Sequence, residues 1–149
     1  MRVLVQRVSR ARVLVEGQVK GEIGPGLVLL VGIHHSDDDR ALRFCAEKCA
    51  HLRIFPDTAG KMNRSVLEAG GSVLAVSQFT LYGDCRRGRR PSFGEAALPE
   101  RAEPLCARFA ALLAELGLDV AQGVFGAYME VELANDGPVT VMVESPSPA

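Results

Sequence analysis

The chain has 149 residues, 48% hydrophobic and 23% charged, with a formal net charge of −1. This is the balance of an ordinary globular protein: it excludes a disordered or fibrous chain and gives no global pull toward nucleic acid. The longest apolar run, Gly26 to Ile33, is far too short to span a bilayer, and "MRVLVQRV" alternates like a strand instead of a signal peptide, so the expected compartment is the cytoplasm, with no membrane partner.

In chain order, Val3, Val5 and Val8, then Val13 and Val15, predict two short strands separated by Ser9-Arg10. "EGQVKGEIGPG" supplies a turn, a short strand and a second turn at Gly24-Pro25-Gly26. Leu27 to Ile33 is continuously apolar, as in a strand buried on both faces. In "HHSDDDR", His34, His35 and the three aspartates read as a helix start capped by Ser36 or Asp37, not as a metal site: acids suit the positive end of a helix dipole, and no second ligand group follows at a defined spacing. The helix is expected from Asp38 to His51, with Leu42, Cys45, Cys49 and Leu52 inward. "FPDTAGKMNRSVLEAGG" reads as a hairpin-like excursion with Gly60 at its tip. A strong strand is expected over Val73 to Phe79 and a second helix over Glu100 to Leu116, stopped by Gly117, with Pro104 in its first turn or at a kink. Two last strands, Ala127–Ala134 and Val139–Glu144, are joined by Asn135-Asp136-Gly137-Pro138, a run of turn formers; a loose tail from Pro146 to Ala149 follows. Many strands and two main helices imply one α+β domain over residues 1–149.

Four cysteines, Cys45, Cys49, Cys85 and Cys106, lack CxxC pairing and read as reduced thiols without a zinc site. No GxSxG elbow, HExxH or Walker loop is present. Two features remain. Ser77, Gln78 and Thr80 cluster where an apolar strand ends, and "SQFT" can offer hydroxyls, an amide and backbone N–H groups, the parts of an oxyanion hole. Arg86, Arg87, Arg89 and Arg90 fall within five residues, a local footprint for a polyanion, unless they form only a solvated loop.

"SQFTL" (Ser77–Leu81) with "NDGPVT" (Asn135–Thr140) resembles the paired signature of the D-aminoacyl-tRNA deacylases. "QRV", "GEIGPGL", "RIFPD…GKMN", "GGSVLAVSQFTL" and "RPSF" extend the likeness over nearly the whole chain, and both motifs take the D-specific form, not that of a sister group. The resemblance implies a homodimer with a β-barrel-like mixed sheet and no metal or organic cofactor. It implies hydrolysis of the ester joining a D-amino acid to the 3′-terminal adenosine of tRNA, and of glycyl-tRNA mischarged on tRNA-Ala. By the same resemblance the Gly137–Pro138 bond is cis, and its carbonyls enter the neighbouring subunit's pocket to exclude an L side chain. Ser77 and Gln78 would line that pocket. The N–H groups of Phe79 and Thr80 would bind the ester carbonyl, Arg7 would brace Gly137-Pro138, and Ala102 would shape the adenosine side. Thr80 could instead act as a covalent nucleophile, although no His, Lys or acid is paired with it in the motif. Two other readings stay open: an RNA-binding module without catalysis, resting on the Arg cluster, and a hydrolase of small D-amino acid esters that never touches RNA.

Overall fold

The computed structural model describes residues 1–147. Its first strand, β1, runs unbroken from Arg2 to Val15. Ser9-Arg10 is therefore no turn. Its residues are exposed at the point where the buried face changes parity, from Val3 and Val5 to Val8, then to Ala11 and Val13. The strand crosses from one hydrophobic cluster to another there.

One edge of β1 pairs first with β3 (Gly26–Gly32) and then with β2 (Gln18–Ile23), both antiparallel. The C-terminal strand, β8 (Glu130–Glu144), covers the other edge from Arg2 to Leu14. β3 continues in parallel to β6 (Ser72–Ser77), and β6 to β7 (Val120–Gln122). Parallel neighbours need a crossover. The helices α1 (Asp39–His51) and, C-terminal to β6, α3 (Pro99–Glu115) lie in these two connections. The result is an α+β fold around a nearly closed mixed sheet.

The continuous apolar run of β3 has the expected cause. Leu27, Leu29 and Val31 face the helix-covered cluster with Leu42, Cys45 and Phe109, while Val28 faces the second cluster with Val8, Val13 and Leu74. Burial drives the Cys45 thiol up to about 12 and raises that of Cys49, so both are inert packing groups. Asp38, not Ser36 or Asp37, caps α1 by accepting from the amides of Arg40 and Ala41 at 3.1 and 3.2 Å. Asp37 is instead buried, accepting the His34 amide at 2.7 Å. Leu52 lies just past the helix, as its C-cap.

The excursion after α1 forms the expected hairpin, β4 (Phe55–Pro56) with β5 (Met62–Arg64). A single helical turn, α2 (Val66–Ala69), follows with a Ser65/Glu68 capping box. In α3, Pro99 occupies the first position, where no N–H is needed. Pro104 falls beyond the first turn, leaving the carbonyl of exposed Glu100 without its helical donor but within reach of water. Gly117, at φ +101°, ends the helix as expected. Of the tail, residues 148–149 lie outside the described ones. No helix among the described residues is long and apolar enough to cross a membrane.

Candidate active site

β3 and β6 end side by side, Val31 opposite Ser77. The Gln78 amide donates to the Val31 carbonyl at 2.7 Å, the last rung before the chain turns into a short 3-10 segment, Phe79–Tyr82. The expected strand thus stops at Ser77, two residues early. A cavity of about 760 Å³ opens beyond these strand ends. Ser77, Gln78, Phe79 and Thr80 all line it, and Ala102 joins them from the first turn of α3. The opposite wall is Phe125 to Met129, between β7 and β8, and Phe93 and Leu98 complete the rim.

The backbone does the distinctive work here. Phe79 and Thr80 are the first two residues of the 3-10 segment, so their N–H groups have no carbonyl within it to bond. The Gln78 side-chain amide donates to Thr80 Oγ1, which ties the two polar side chains together. Behind Ser77 lies Cys106, whose thiol is raised by burial against the opposing effect of a hydrogen bond with Ser77. Among the described residues lining the cavity there is no Asp, Glu, Lys, Arg, His or Cys. The wall thus lacks a carboxylate, imidazole, amine or thiol to act as a catalytic base, the Tyr128 phenol standing exposed at its rim, and Thr80 has no such group beside it to take its proton.

The Gly137-Pro138 motif is placed elsewhere. It is not a hairpin between two strands. β8 is continuous, and both its halves pair with β1, Val8 opposite Asn135 and Gln6 opposite Thr140. Four residues, 136–139, therefore face the single Arg7, and they bulge outward. Asp136, Gly137 and Pro138 are exposed, and the Gly137–Pro138 bond is cis, as expected.

Side chains pin this bulge at its base. Arg7 Nε donates to the Asp136 carbonyl at 2.9 Å, and another nitrogen of its guanidinium donates to the Ile54 carbonyl at 2.6 Å. Asn135 accepts from the Val139 amide at 2.8 Å and donates back to its carbonyl at 3.2 Å. Gly137 sits at φ +151°, and a Cβ there would meet the Val139 nitrogen at 2.7 Å. A side chain is therefore excluded on backbone grounds alone. Neither Gly137 nor Pro138 lines the cavity of its own chain.

The basic cluster forms a loop closed by Asp84 and Ser92, which exchange backbone hydrogen bonds at 2.7 and 3.0 Å. Arg86 is spent inside it: its guanidinium grips Asp84 at 2.8 and 2.7 Å and pulls that carboxyl down to about 2. Among the described residues, Arg87, Arg89 and Arg90 are exposed and make no salt bridge. The loop leads directly into Phe93, which packs edge-on against Phe79 with centroids 5.1 Å apart. Three unpaired cations thus leave the fold beside the cavity.

Sequence comparison bears on this arrangement. A match to the family described as D-Tyr-tRNA(Tyr) deacylase spans residues 4–144. The chain belongs to that family. It is accordingly a deacylase, a hydrolase, as are the relatives it resembles. A D-aminoacyl-tRNA deacylase of Shouchella clausii is 65% identical over 97% of this chain and 99% of its own. That of Symbiobacterium thermophilum is 62% identical over 97% and 96%. Among solved structures, one named c-Myc DNA Unwinding Element Binding Protein superposes with a TM-score of 0.93 at 40% identity, covering 99% of this chain and all of that one. A probable eukaryotic D-amino acid tRNA deacylase shares the fold, with a TM-score of 0.84 at 20% identity over 96% and 98% of the two chains.

Sequence reasoning singled out one wall of the cavity and missed the other. Phe125, Ala127 and Met129 are half-buried between exposed neighbours in an irregular segment, because the strand expected from Ala127 begins only at Glu130. The available signal was the apolar run "VFGAYM" in a connection that needed none.

Proposed function

We propose that this deacylase hydrolyses the ester between a D-amino acid and the 3′-terminal adenosine of tRNA, in the cytoplasm, as a single domain assembled into a homodimer. The observation that carries the reading is the cavity itself: Phe79 and Thr80, whose main-chain N–H groups are unbonded, line it, and among the described residues its wall carries no carboxylate, imidazole, amine or thiol. An aminoacyl ester is already activated by its neighbouring ribose hydroxyl. The protein needs to position it, polarise its carbonyl and admit water. The amides of Phe79 and Thr80 take the carbonyl oxygen, Ser77 and Gln78 hold the aminoacyl group, and Ala102 shapes the adenosine side.

Chirality is read by main chain. The exposed Gly137-Pro138 bulge of one subunit enters the cavity of the other, where its carbonyls meet the substrate's ammonium group and leave no room for an L side chain. Its exposure, its bracing by Arg7 and its absence from its own chain's cavity support this assignment. Glycine has no side chain to reject, so glycyl-tRNA mischarged on tRNA-Ala is also a substrate. Arg87, Arg89 and Arg90 contact tRNA phosphates, with Arg86 anchoring the loop through Asp84.

The deciding assay compares hydrolysis of D- and L-tyrosyl-tRNA with that of a free D-tyrosine ester. Rapid release from the D-tyrosyl-tRNA alone is expected. Equal hydrolysis of both stereoisomers would remove the chiral reading; activity on the free ester alone would remove the tRNA; no turnover of any would leave an RNA-binding module.

A further inference from the structure

The chain has only two tyrosines, and they are placed oppositely. Tyr82 is buried, whereas Tyr128 is 97% exposed, the largest exposure of any large apolar side chain described. Leu98 follows at 72%. Both stand on the rim of the same cavity, together with half-exposed Phe79. Tyr128 holds its position through its neighbours. In the segment from Gln122 to Glu130, odd positions turn inward and even positions outward, so Phe125 and Met129 anchor the wall while Tyr128 is presented to solvent. A turn at Gly126, φ +75°, with the Ala127 amide bonded to the Val124 carbonyl at 3.2 Å, fixes the backbone just before it.

A solvated aromatic ring on the rim of a cavity that three unpaired arginines adjoin through Phe93 has the composition of a single-strand nucleic-acid platform: cations track phosphates while a π-face accepts a base. We infer that Tyr128 stacks on the base of the nucleotide preceding the terminal adenosine, and so guides the single-stranded 3′ end of tRNA over the rim. This rests on the deacylase reading of the cavity, which accounts for the terminal adenosine and leaves the next nucleotide outside, at the mouth. The occupant is RNA because the loop of Arg87, Arg89 and Arg90 joins the rim through Phe93 and Phe79, continuous with the site.

The test uses two substrates, D-tyrosyl-tRNA and 3′-O-D-tyrosyl-adenosine, which lacks the preceding nucleotide. Tyr128→Ala should lower kcat/KM on the tRNA by about 5- to 100-fold, the range expected when one base loses its aromatic stacking partner. Its effect on the adenosine ester should be at least several-fold smaller, because only the tRNA carries the stacked base, and Tyr128→Trp should restore tRNA activity. Loss on both substrates alike, no loss on either, or a change of subunit assembly in sedimentation would each overturn the inference, the last in favour of contact with a second copy. Anisotropy with a CCA-ended oligonucleotide that carries no amino acid separates this claim from the one beneath it. Weaker binding by Tyr128→Ala upholds stacking even if no turnover occurs, whereas inactive wild-type protein counts against the deacylase reading alone.

Discussion

The cavity at the end of β6 and the bulge in β8 are opposites in construction. The first is concave and largely apolar, and its polar capacity lies in two amides that a strand end and a short 3-10 segment leave unbonded. The second is convex and exposed, held only at its base by Arg7 and Asn135. Each offers main chain where most hydrolases offer side chains. In the proposed mechanism one supplies donors, the other acceptors, and neither completes a site alone. A main-chain device tolerates little motion, because it cannot change rotamer to adapt.

Substitutions that separate backbone from side chain sharpen the contrast. The largest effect is expected for Phe79→Pro. Proline is tolerated at the first position of a helical turn but removes the N–H, so kcat should fall by about 10²–10³-fold, while Phe79→Ala, which keeps the amide, stays within a few-fold of wild type. Equal losses in the two variants would show that the ring, not the amide, matters. Next is Gly137→Ala on the bulge. Its Cβ would press on the Val139 nitrogen at 2.7 Å, and the resulting displacement should cost about 10²-fold in D-tyrosyl-tRNA hydrolysis. A fully active Gly137→Ala protein would take the bulge out of the mechanism.

Arg7→Ala should cost less, about 10-fold in activity, with a stability loss of about 1–3 kcal/mol in denaturant titrations as two carbonyls lose a charged donor. Lysine should not rescue it, because one ammonium cannot reproduce the guanidinium fork. Neutralising Arg87, Arg89 and Arg90 together should raise KM for tRNA and reduce its salt slope by about 0.9 for each phosphate no longer neutralised. Arg86→Ala should act mainly by freeing Asp84. An unchanged slope in the triple variant would make the loop a solvated one. The smallest effect is expected at Thr80: Thr80→Ala keeps the backbone N–H and should retain most activity. A trapped acyl-enzyme on Thr80 would reverse that assignment.

The sequence made the long elements legible and the junctions not. β3 carries a continuous apolar run, and α1 and α3 periodicities, strong enough to read without partners. Ser9-Arg10 and Asn135–Pro138 have turn composition, yet both lie within continuous strands, because β1 and β8 pair along almost their full length across more than a hundred residues of chain. Local residue preferences carry no trace of that pairing. β7 and α2 are too short for any period, although Ser65 and Glu68 do spell a capping box. Of the cavity, Ser77–Thr80 stood out because polar residues end an apolar strand. Phe125–Met129 did not, since only the tertiary fold brings that connection opposite them.

Subunit complementation tests most directly whether the two regions form one site across two chains. Phe79→Pro disables the cavity and Gly137→Ala the bulge, each variant being nearly inactive by itself. Unfolded and refolded together at equal concentration, they should recover roughly a quarter of wild-type deacylation, because half the dimers are mixed and each carries one intact composite site. Activity that never rises above that of the separate variants, in a sample where mixed dimers are demonstrated, would contradict the account and place each site within a single chain.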